Sequence, residues 1–323
     1  MERTEDGELA EIVRGFREHP GRRSKRFIRV VAEVLGGTDW LHGPGDDAAV
    51  VDETSEGAVV AAGEAIWPPF LAADPHGAGI AAVVANVNDV AAMGGRALAI
   101  VDTLVGPEDL VRAALGGMRW AAERYGVPVV GGHLTVSTEP PALSAFVVGR
   151  ARRILSSADA RPGQALLHGT ALEGTPHPRF PLFSSLQERE DWLASDLEAL
   201  PTLAERELAA AAKDVSMAGL LGSLAMLLEP TRCGVVVDLD RVPVPPQVDL
   251  TTWVGMFPSF GFLVCVPPGS VEPATEVFAE RGLACAPIGT LDDSGRLAVR
   301  RQGLEADLLD LRSDAVTGLG VEP

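Results

Sequence analysis

An alternation of apolar runs and helical stretches between residues 57 and 149 limits the possible folds of this chain more than any other feature. The predicted elements, in chain order, are a strand at 57–63, a helix from Asp74 to about Met93, a strand at 97–105, a helix at 107–125 and strands at 127–130 and 142–149. This order is typical of a layered α/β unit in which helices cover one face of a sheet. The other apolar face also needs a cover, which predicts a partner subunit.

The length of 323 residues predicts two domains. The periodic pattern weakens after residue 150, and the Arg-Pro-Gly turn at 161–163 favours a boundary near 155. We therefore expect a helical N-terminal extension at 1–39, an N-terminal domain at 40–155 and a C-terminal α/β domain at 156–323. The elements expected in the last domain are strands at 164–167, 234–239 and 260–266, a helix at 219–228, and a long loop within 175–201 that leads to helical segments.

Composition excludes several classes of function. The formal net charge of −18, from 45 acidic and 27 basic residues, opposes binding to a nucleic-acid backbone. The basic run at 22–26 is a local exception, either a phosphate contact or a solvated helix start. Three widely spaced cysteines are typical of small core residues in a reducing compartment. Without an apolar leader or an apolar run of about 20 residues, we expect a cytoplasmic protein that does not enter a membrane.

Two adjacent carboxylates, Asp46 and Asp47, follow Gly45 and precede an apolar run that suits a strand. Magnesium prefers oxygen ligands and shares substrate phosphates with carboxylates that come from several loops. A loop with two carboxylates fits that role. The alternative interpretation is an acidic surface turn.

The segment 86–95 places Asn86, Asn88 and Asp89 in an otherwise apolar helix of small residues. Asn86 and Asp89 are three residues apart and face the same way. A buried carboxylate costs several kcal/mol, so Asp89 requires a cation or hydrogen-bond donors nearby. The alternative is a helix in which these side chains bind the helix's own amides.

Four motifs together resemble the aminoimidazole ribonucleotide synthetase superfamily. They are GDDAAV at 45–50, NVNDVAAMG at 86–94, Gly131-Gly132 after a strand, and Asp-Val-Ser at 214–216 before an apolar helix. The superfamily also includes thiamine-monophosphate kinase, selenophosphate synthetase and a hydrogenase maturation protein. The chain is similar to an "AIR synthase-related" member from about residue 40 to about 300.

The resemblance implies a two-domain α/β fold whose N-terminal sheet forms a homodimer, with ATP and Mg²⁺ as cofactors and a small-molecule substrate. By motif, the implied metal ligands are Asp46, Asp47, Glu64, Asp89 and Asp214. The implied nucleotide-binding residues are Gly45, Asn86, Asn88, Gly131 and Gly132, and Lys25 joins them by analogy alone. Asp214 and His133 are the candidate catalytic residues. Phosphoryl transfer of this kind depends on positioning and charge neutralisation.

Two departures from the family pattern bear on activity. His133 follows Gly131-Gly132 where the family commonly has Asp or Asn, and magnesium accepts imidazole poorly. Either one metal site is lost, or His133 serves as a phosphate donor or proton shuttle, or it is a buried structural histidine. Met217 and Ala218 replace a carboxylate and a glycine, which puts catalysis in doubt at this position.

The aromatic stretch at 67–70 (Trp-Pro-Pro-Phe) is interpreted as a rigid loop that either shapes the acceptor pocket or packs on a dimer partner. The expected function is an ATP- and magnesium-dependent enzyme acting on a small polar or phosphorylated metabolite. The alternative is a nucleotide- or metabolite-binding protein without catalysis that serves a partner enzyme. A thiamine-monophosphate kinase with degenerate motifs is the third possibility, although the Gly-Glu-Asp cluster typical of those kinases is missing near 257–262.

Overall fold

The computed structural model describes residues 5–35, 42, 45–138 and 140–319. The helices are α1 Glu5–Glu18, α2 Pro20–Lys25, α3 Arg29–Leu35, α4 Pro68–Ala73, α5 Pro75–Ala92, α6 Glu108–Tyr125, α7 Leu193–Leu197, α8 Ala199–Glu205, α9 Gly219–Leu228, α10 Leu250–Trp253 and α11 Val271–Ala279. The strands are β1 Ala49–Thr54, β2 Gly57–Ala65, β3 Gly95–Gly106, β4 Val129–Val136, β5 Ala142–Ala151, β6 Ala165–Thr170, β7 Thr175–Pro176, β8 Leu182–Ser184, β9 Ala211–Asp214, β10 Gly234–Asp238, β11 Phe257–Pro258, β12 Gly261–Val266, β13 Ala284–Asp292, β14 Arg296–Arg301 and β15 Leu304–Asp310.

These elements form two compact units. Unit 1 comprises residues 1–46, 155–188 and 206–323, and unit 2 comprises 47–154 and 189–205. The units are therefore discontinuous in sequence, whereas the sequence predicted three consecutive segments. The expected junction at residues 39 and 40 lies outside the described residues.

Unit 2 is built on a five-stranded sheet with the order β1-β2-β5-β3-β4, antiparallel except for the β3–β4 pair. Period-two burial along β5 shows how one face is covered, since Leu143, Ala145 and Val147 are buried while Phe146 and Val148 are exposed. The layered α/β arrangement predicted from the sequence is confirmed here.

Helices α5 and α6 pack closely because each carries a glycine at the contact. A Cβ on Gly79 would lie 1.9 Å from the carbonyl oxygen of Ala114, and one on Gly117 would lie 2.0 Å from that of His76. Asp74 caps α5 by accepting a hydrogen bond from the amide of Gly77 at 2.9 Å. The result is a helix that is buried along most of its length, including Asn86, Asn88 and Asp89.

Unit 1 contains a seven-stranded sheet with the order β15-β14-β10-β13-β6-β12-β9 and a small sheet formed by β11, β8 and β7. Its main core joins apolar side chains of α1, such as Ile12 and Phe16, to those of α9, such as Leu224. The N-terminal helix is thus part of this unit's core. Helix α11 contributes Phe278, which lies against Gly169 of β6.

Two sequence-based interpretations of irregular segments are corrected. The stretch at 67–70 is not a loop, because Trp67 is the N-cap of α4 and the prolines occupy the first turn, where the missing amide hydrogens carry no penalty. The segment at 175–201 contains β7, β8 and α7 and the start of α8. Weak periodicity concealed these elements, since each is at most seven residues long.

The structure bears on two expectations from composition, the burial of the cysteines and the lack of a membrane-spanning helix. Cys233 and Cys265 are buried, as expected of small core residues, while Cys285 is partly exposed. Across the described stretches, every helix is too short or too polar to cross a lipid bilayer.

Candidate functional site

Three polar residues near the C-terminal end of α5 are almost completely buried. Asn86 is 0% exposed, and Asn88 and Asp89 are 5% and 6% exposed. The amide nitrogen of Asn86 donates to the carbonyl of Ala82 one turn earlier at 2.8 Å and to that of Ala145 in β5 at 3.2 Å. Asn86 therefore does more than bind its own helix, because it also fixes α5 to the central strand.

The oxygen atom of the Asn86 side chain is buried and has no hydrogen-bond partner among the described residues. An unsatisfied buried acceptor costs about 1–3 kcal/mol. Asn86 thus offers an acceptor for a donor or a cation at this position of α5.

The two aspartates of the acidic loop have different surroundings. The Asp46 carboxylate accepts hydrogen bonds from the Ser156 hydroxyl at 2.7 Å, from the Ser157 amide at 2.7 Å and from the Ser157 hydroxyl. Asp47 instead has a carboxylate oxygen within 4.8 Å of a carboxylate oxygen of Asp89. The structure therefore brings Asp47 together with the helix aspartate, while Asp46 ties the loop to the 156–157 turn.

Glu64 lies in a row of residues that runs across the sheet of unit 2. In the strand register Glu64 of β2 is paired with Ala145 of β5, Ala145 with Asp102 of β3, and Asp102 with Gly132 of β4. Directly paired residues point to the same face of a sheet. The buried Ala145 marks this as the face that the helices cover.

Asp102 is a candidate that the sequence analysis missed. It is 8% exposed, and burial raises the pKa of its carboxyl group. A Cβ on Gly132 would lie 2.4 Å from an Asp102 carboxylate oxygen, so this glycine leaves the space that the carboxylate occupies. The available signal was period-two spacing, since Asp102 stands between Ile100 and Leu104 at a position where the strand is apolar.

His133 lies on the opposite face of the sheet from Asp102 and Glu64. It is paired with Thr103, the residue after Asp102, and successive strand residues alternate between faces. His133 is exposed, and its Nε2 lies 3.4 Å from the Thr135 hydroxyl oxygen. The interpretation of His133 as a buried structural histidine is therefore wrong. Gly131 shares this face, and nothing would lie within 4 Å of an added Cβ there.

The remaining predicted residues belong to unit 1. Asp214 ends β9 and is buried, and its Oδ1 lies 3.9 Å from Nζ of Lys213. Lys25 lies at the end of α2 and is partly buried. Gly45 adopts a φ of +92°, which favours glycine at the start of the acidic loop.

The substituted positions after Asp214 have distinct conformations. Ala218 has a φ of +84° and caps the N-terminus of α9, a left-handed conformation that costs a residue with a Cβ about 1–2 kcal/mol. The side chain of Met217 is 39% exposed and its Cγ lies close to Gly21 of α2. The sequence-based concern about Ala218 thus has a structural counterpart, because the backbone there favours glycine.

Sequence comparison covers most of the chain. The profile of "AIR synthase related protein, N-terminal domain" matches residues 45–151, and that of "AIR synthase related protein, C-terminal domain" matches residues 167–302. The chain belongs to the AIR synthase related family. Its two-domain α/β fold is the one expected from the sequence motifs.

Three proteins illustrate what this chain is similar to. An uncharacterized protein of Synechocystis is 36% identical over 278 residues, covering 85% of this chain and 86% of its own. Phosphoribosylformylglycinamidine synthase subunit PurL of Methanopyrus kandleri is 30% identical, covering 88% of this chain and 43% of its own. The structure of T. maritima PurL complexed with AMPPCP aligns with a TM-score of 0.76 at 20% identity, covering 98% of this chain and 52% of PurL. The chain thus spans about half the length of PurL.

Proposed function

We propose that this AIR synthase related protein is an ATP- and magnesium-dependent enzyme that phosphorylates or otherwise activates a small metabolite. The observation that carries the proposal is the proximity of Asp47 and Asp89, whose carboxylate oxygens lie within 4.8 Å. Two carboxylates at this separation repel each other unless a cation or a proton lies with them. The AMPPCP complex of T. maritima PurL supports an adenine nucleotide as the ligand that accompanies the cation.

The groups available in unit 2 fit magnesium. Asp47, Asp89 and the unpartnered amide oxygen of Asn86 are hard oxygen donors, the type that magnesium selects. We assign Asp47 and Asp89 as the residues that hold the ion. When bound, magnesium would neutralise phosphate charge and orient the phosphoryl group.

Other residues of the chain position this pair. Close packing of α5 on α6 and the bond from Asn86 to β5 hold Asp89 in place. Asp46 fixes the acidic loop through Ser156 and Ser157, so we assign it a positioning role. Glu64 and Asp102 supply further carboxyl groups on the helix-covered face. Asp214, His133 and Lys25 stay predictions from the sequence.

Titration calorimetry with AMPPCP and MgCl2 tests the proposal. Asp89→Asn keeps the size of the side chain but removes its charge, and we expect nucleotide affinity to fall at least about tenfold, the loss of one charge-assisted contact. Asp52→Asn, at an exposed aspartate of β1, is the matched control and should bind as the wild type does. A wild-type protein that binds no nucleotide, or an Asp89→Asn variant with unchanged affinity, would refute the assignment.

The helix-free face of the unit 2 sheet supports a homodimer. Val101, Phe146 and Val148 are 41%, 45% and 46% exposed, and Phe146 is paired with Val101 in the register. Contiguous exposed apolar side chains on one sheet face are typical of an interface. We propose that a second copy of this chain covers this face.

A nucleotide-binding protein without turnover is the second candidate. The histidine at position 133 favours it, because magnesium accepts imidazole poorly and the family commonly has Asp or Asn there. Release of ADP across a panel of hydroxyl- and phosphate-bearing metabolites separates the two functions. Turnover with any acceptor supports the enzyme, and tight nucleotide binding with no turnover supports the binding protein.

A further inference from the structure

A cavity of about 380 Å³ in unit 1 contains an unusual concentration of arginine. We call it the arginine pocket, and its polar lining residues are Arg161, Thr231, Arg232, Cys233, Asp293 and Arg312. Its volume is within the range of small-molecule sites, which begins at roughly 300 Å³. Its lining carries a positive charge excess in a chain whose net charge is −18.

The positive charge of the pocket is largely unneutralised. Neither Arg232 nor Arg312 forms an ion pair with any residue that the structure describes. The Arg312 guanidinium donates to the main-chain carbonyl of Asp293, and a neutral carbonyl positions the group without cancelling its charge. Arg161 is held in the same way by the carbonyl of Ala160 at 2.8 Å, with the Asp159 carboxylate 3.6 Å away.

Arg232 has a backbone conformation that its side chain disfavours. Its φ is +53°, and it follows the C-terminus of α9, where its amide donates to the carbonyl of Leu228 at 2.8 Å. Glycine is the usual residue at such a left-handed helix end because it has no Cβ. Ending the helix requires no guanidinium, so the helix end does not account for an arginine at this position.

The neighbouring Thr231 adds a second group with unused bonding capacity. Its hydroxyl oxygen is buried and makes no hydrogen bond to any described residue. A hydroxyl beside guanidinium groups is a combination that binds tetrahedral oxyanions, because each phosphate oxygen accepts several hydrogen bonds.

The arginine pocket lies within unit 1, whereas Asp47 and Asp89 belong to unit 2. The family's C-terminal profile covers residues 167–302, which include Arg232 but not Arg161 or Arg312. We propose that the arginine pocket binds the phosphate group of a small anion, independently of the magnesium–nucleotide site. The ligand is either inorganic phosphate or a small phosphate monoester, which share this chemistry.

Arg232→Gly provides a test with two opposite readouts. The substitution removes one guanidinium and relieves the strained backbone, so the melting temperature without ligand should rise while phosphate affinity falls at least about tenfold. Gln302→Gly is the matched control, since Gln302 also has a positive φ of 49° and lies outside the pocket. It should raise the melting temperature and leave phosphate affinity unchanged. Arg312→Gln should weaken phosphate binding as Arg232→Gly does.

Calorimetric titrations of the full chain use inorganic phosphate, ribose 5-phosphate and ribose as probes. The proposal predicts saturable binding of one or both phosphate compounds, no binding of ribose, and loss of phosphate binding in both arginine variants. The compound that binds shows whether the pocket accepts inorganic phosphate or a phosphate monoester. Equal binding of ribose, no binding of either phosphate compound, or full affinity in Arg232→Gly would overturn the proposal. Asp89→Asn should bind the phosphate probes with wild-type affinity. A loss of nucleotide binding can therefore be distinguished from a loss of phosphate binding in the arginine pocket.

Discussion

Asp102 and His168 are both buried, and burial shifts their pKa values in opposite directions. A desolvated carboxyl group prefers its neutral, protonated form, so the pKa of Asp102 is raised. A desolvated imidazole prefers its neutral, deprotonated form, and burial lowers the pKa of His168 to about 4. His168 lies on β6 between Leu263 and Ala286 of the adjacent strands. His168 is therefore neutral at neutral pH, where an exposed histidine would be partly protonated.

The His168 shift makes stability depend on pH. Between pH 6.5 and about 4 the unfolded chain binds a proton at this histidine and the folded chain does not, so stability falls as the pH is lowered through this window. Across this window the free energy of unfolding falls by roughly 3 kcal/mol. Urea unfolding midpoints at pH 7.5, 6 and 5 should fall with pH in the wild type and fall less in His168→Leu. An equal decline in both proteins would contradict the assignment.

Ala218→Gly should stabilise the protein. The left-handed backbone costs alanine about 1–2 kcal/mol, and the greater freedom of glycine in the unfolded chain offsets about 0.4–1 kcal/mol of this. We expect a net gain of up to about 1 kcal/mol, seen as a higher urea midpoint. Ala225→Gly, within α9 in ordinary helical conformation, should lower the midpoint by about 1 kcal/mol or more. A shift in the same direction for both variants would refute the strain argument.

At the scale of elements, single buried side chains join segments that are distant in sequence. Asn86 connects α5 to β5, and Glu229 connects the end of α9 to the C-terminal segment. The Glu229 carboxylate accepts hydrogen bonds from the amides of Val316 at 2.7 Å and Thr317 at 2.9 Å, and from the Thr317 hydroxyl at 2.6 Å. Each connection depends on one polar group with several partners.

Glu229→Gln should release the segment 316–318. An amide has one acceptor oxygen and presents its own N–H groups to the segment's donors, so part of the buried network is lost at a cost of about 1–3 kcal/mol. Amide hydrogen exchange at 316–318 should accelerate at least about tenfold. Glu280→Gln, at an exposed glutamate after α11, is the control and should leave these rates unchanged. Unchanged protection in Glu229→Gln would show that other contacts hold the segment.

At the scale of the whole molecule, the proposed homodimer through the exposed apolar sheet face of unit 2 predicts a mass in solution. A 33.8 kDa chain that pairs through this face has twice that mass in solution. Val148→Asp places a charge among exposed apolar side chains, and burying it in an interface costs several kcal/mol. Light scattering after size exclusion should give a dimer for the wild type and a monomer for Val148→Asp. Leu115→Asp, at an exposed leucine of α6, should remain dimeric, and a monomeric wild type would refute the dimer.

The regular elements near the proposed site were largely predictable from the sequence. The helix at 74–93 and the helix at 219–228 were placed within one residue of α5 and α9. Asp74, Pro75 and the glycines after Met93 are local signals, and a helix cap acts within a few residues of its own position. The strand predicted at 127–130 begins and ends too early, because β4 starts at Val129 and continues to Val136. Gly131 and Gly132 interrupt its apolar pattern, and glycine is unfavourable in strands.

The sequence by itself identified the candidate side chains: those of the acidic loop and the polar helix, and the departures at His133 and Ala218. Only the tertiary structure decided where these side chains lie. In the structure Asp46 binds Ser156 and Ser157 whereas Asp47 lies near Asp89. His133 lies on the sheet face opposite Asp102, a carboxyl group that the sequence motifs did not indicate. The physical reason is strand register. The pairing of β3 with β4 shifts by one residue between Ile100 and Val101. Relative to β3, each side chain of β4 after this shift lies on the face opposite to the one that unshifted pairing would give. Such a shift depends on packing between strands, which local sequence does not encode.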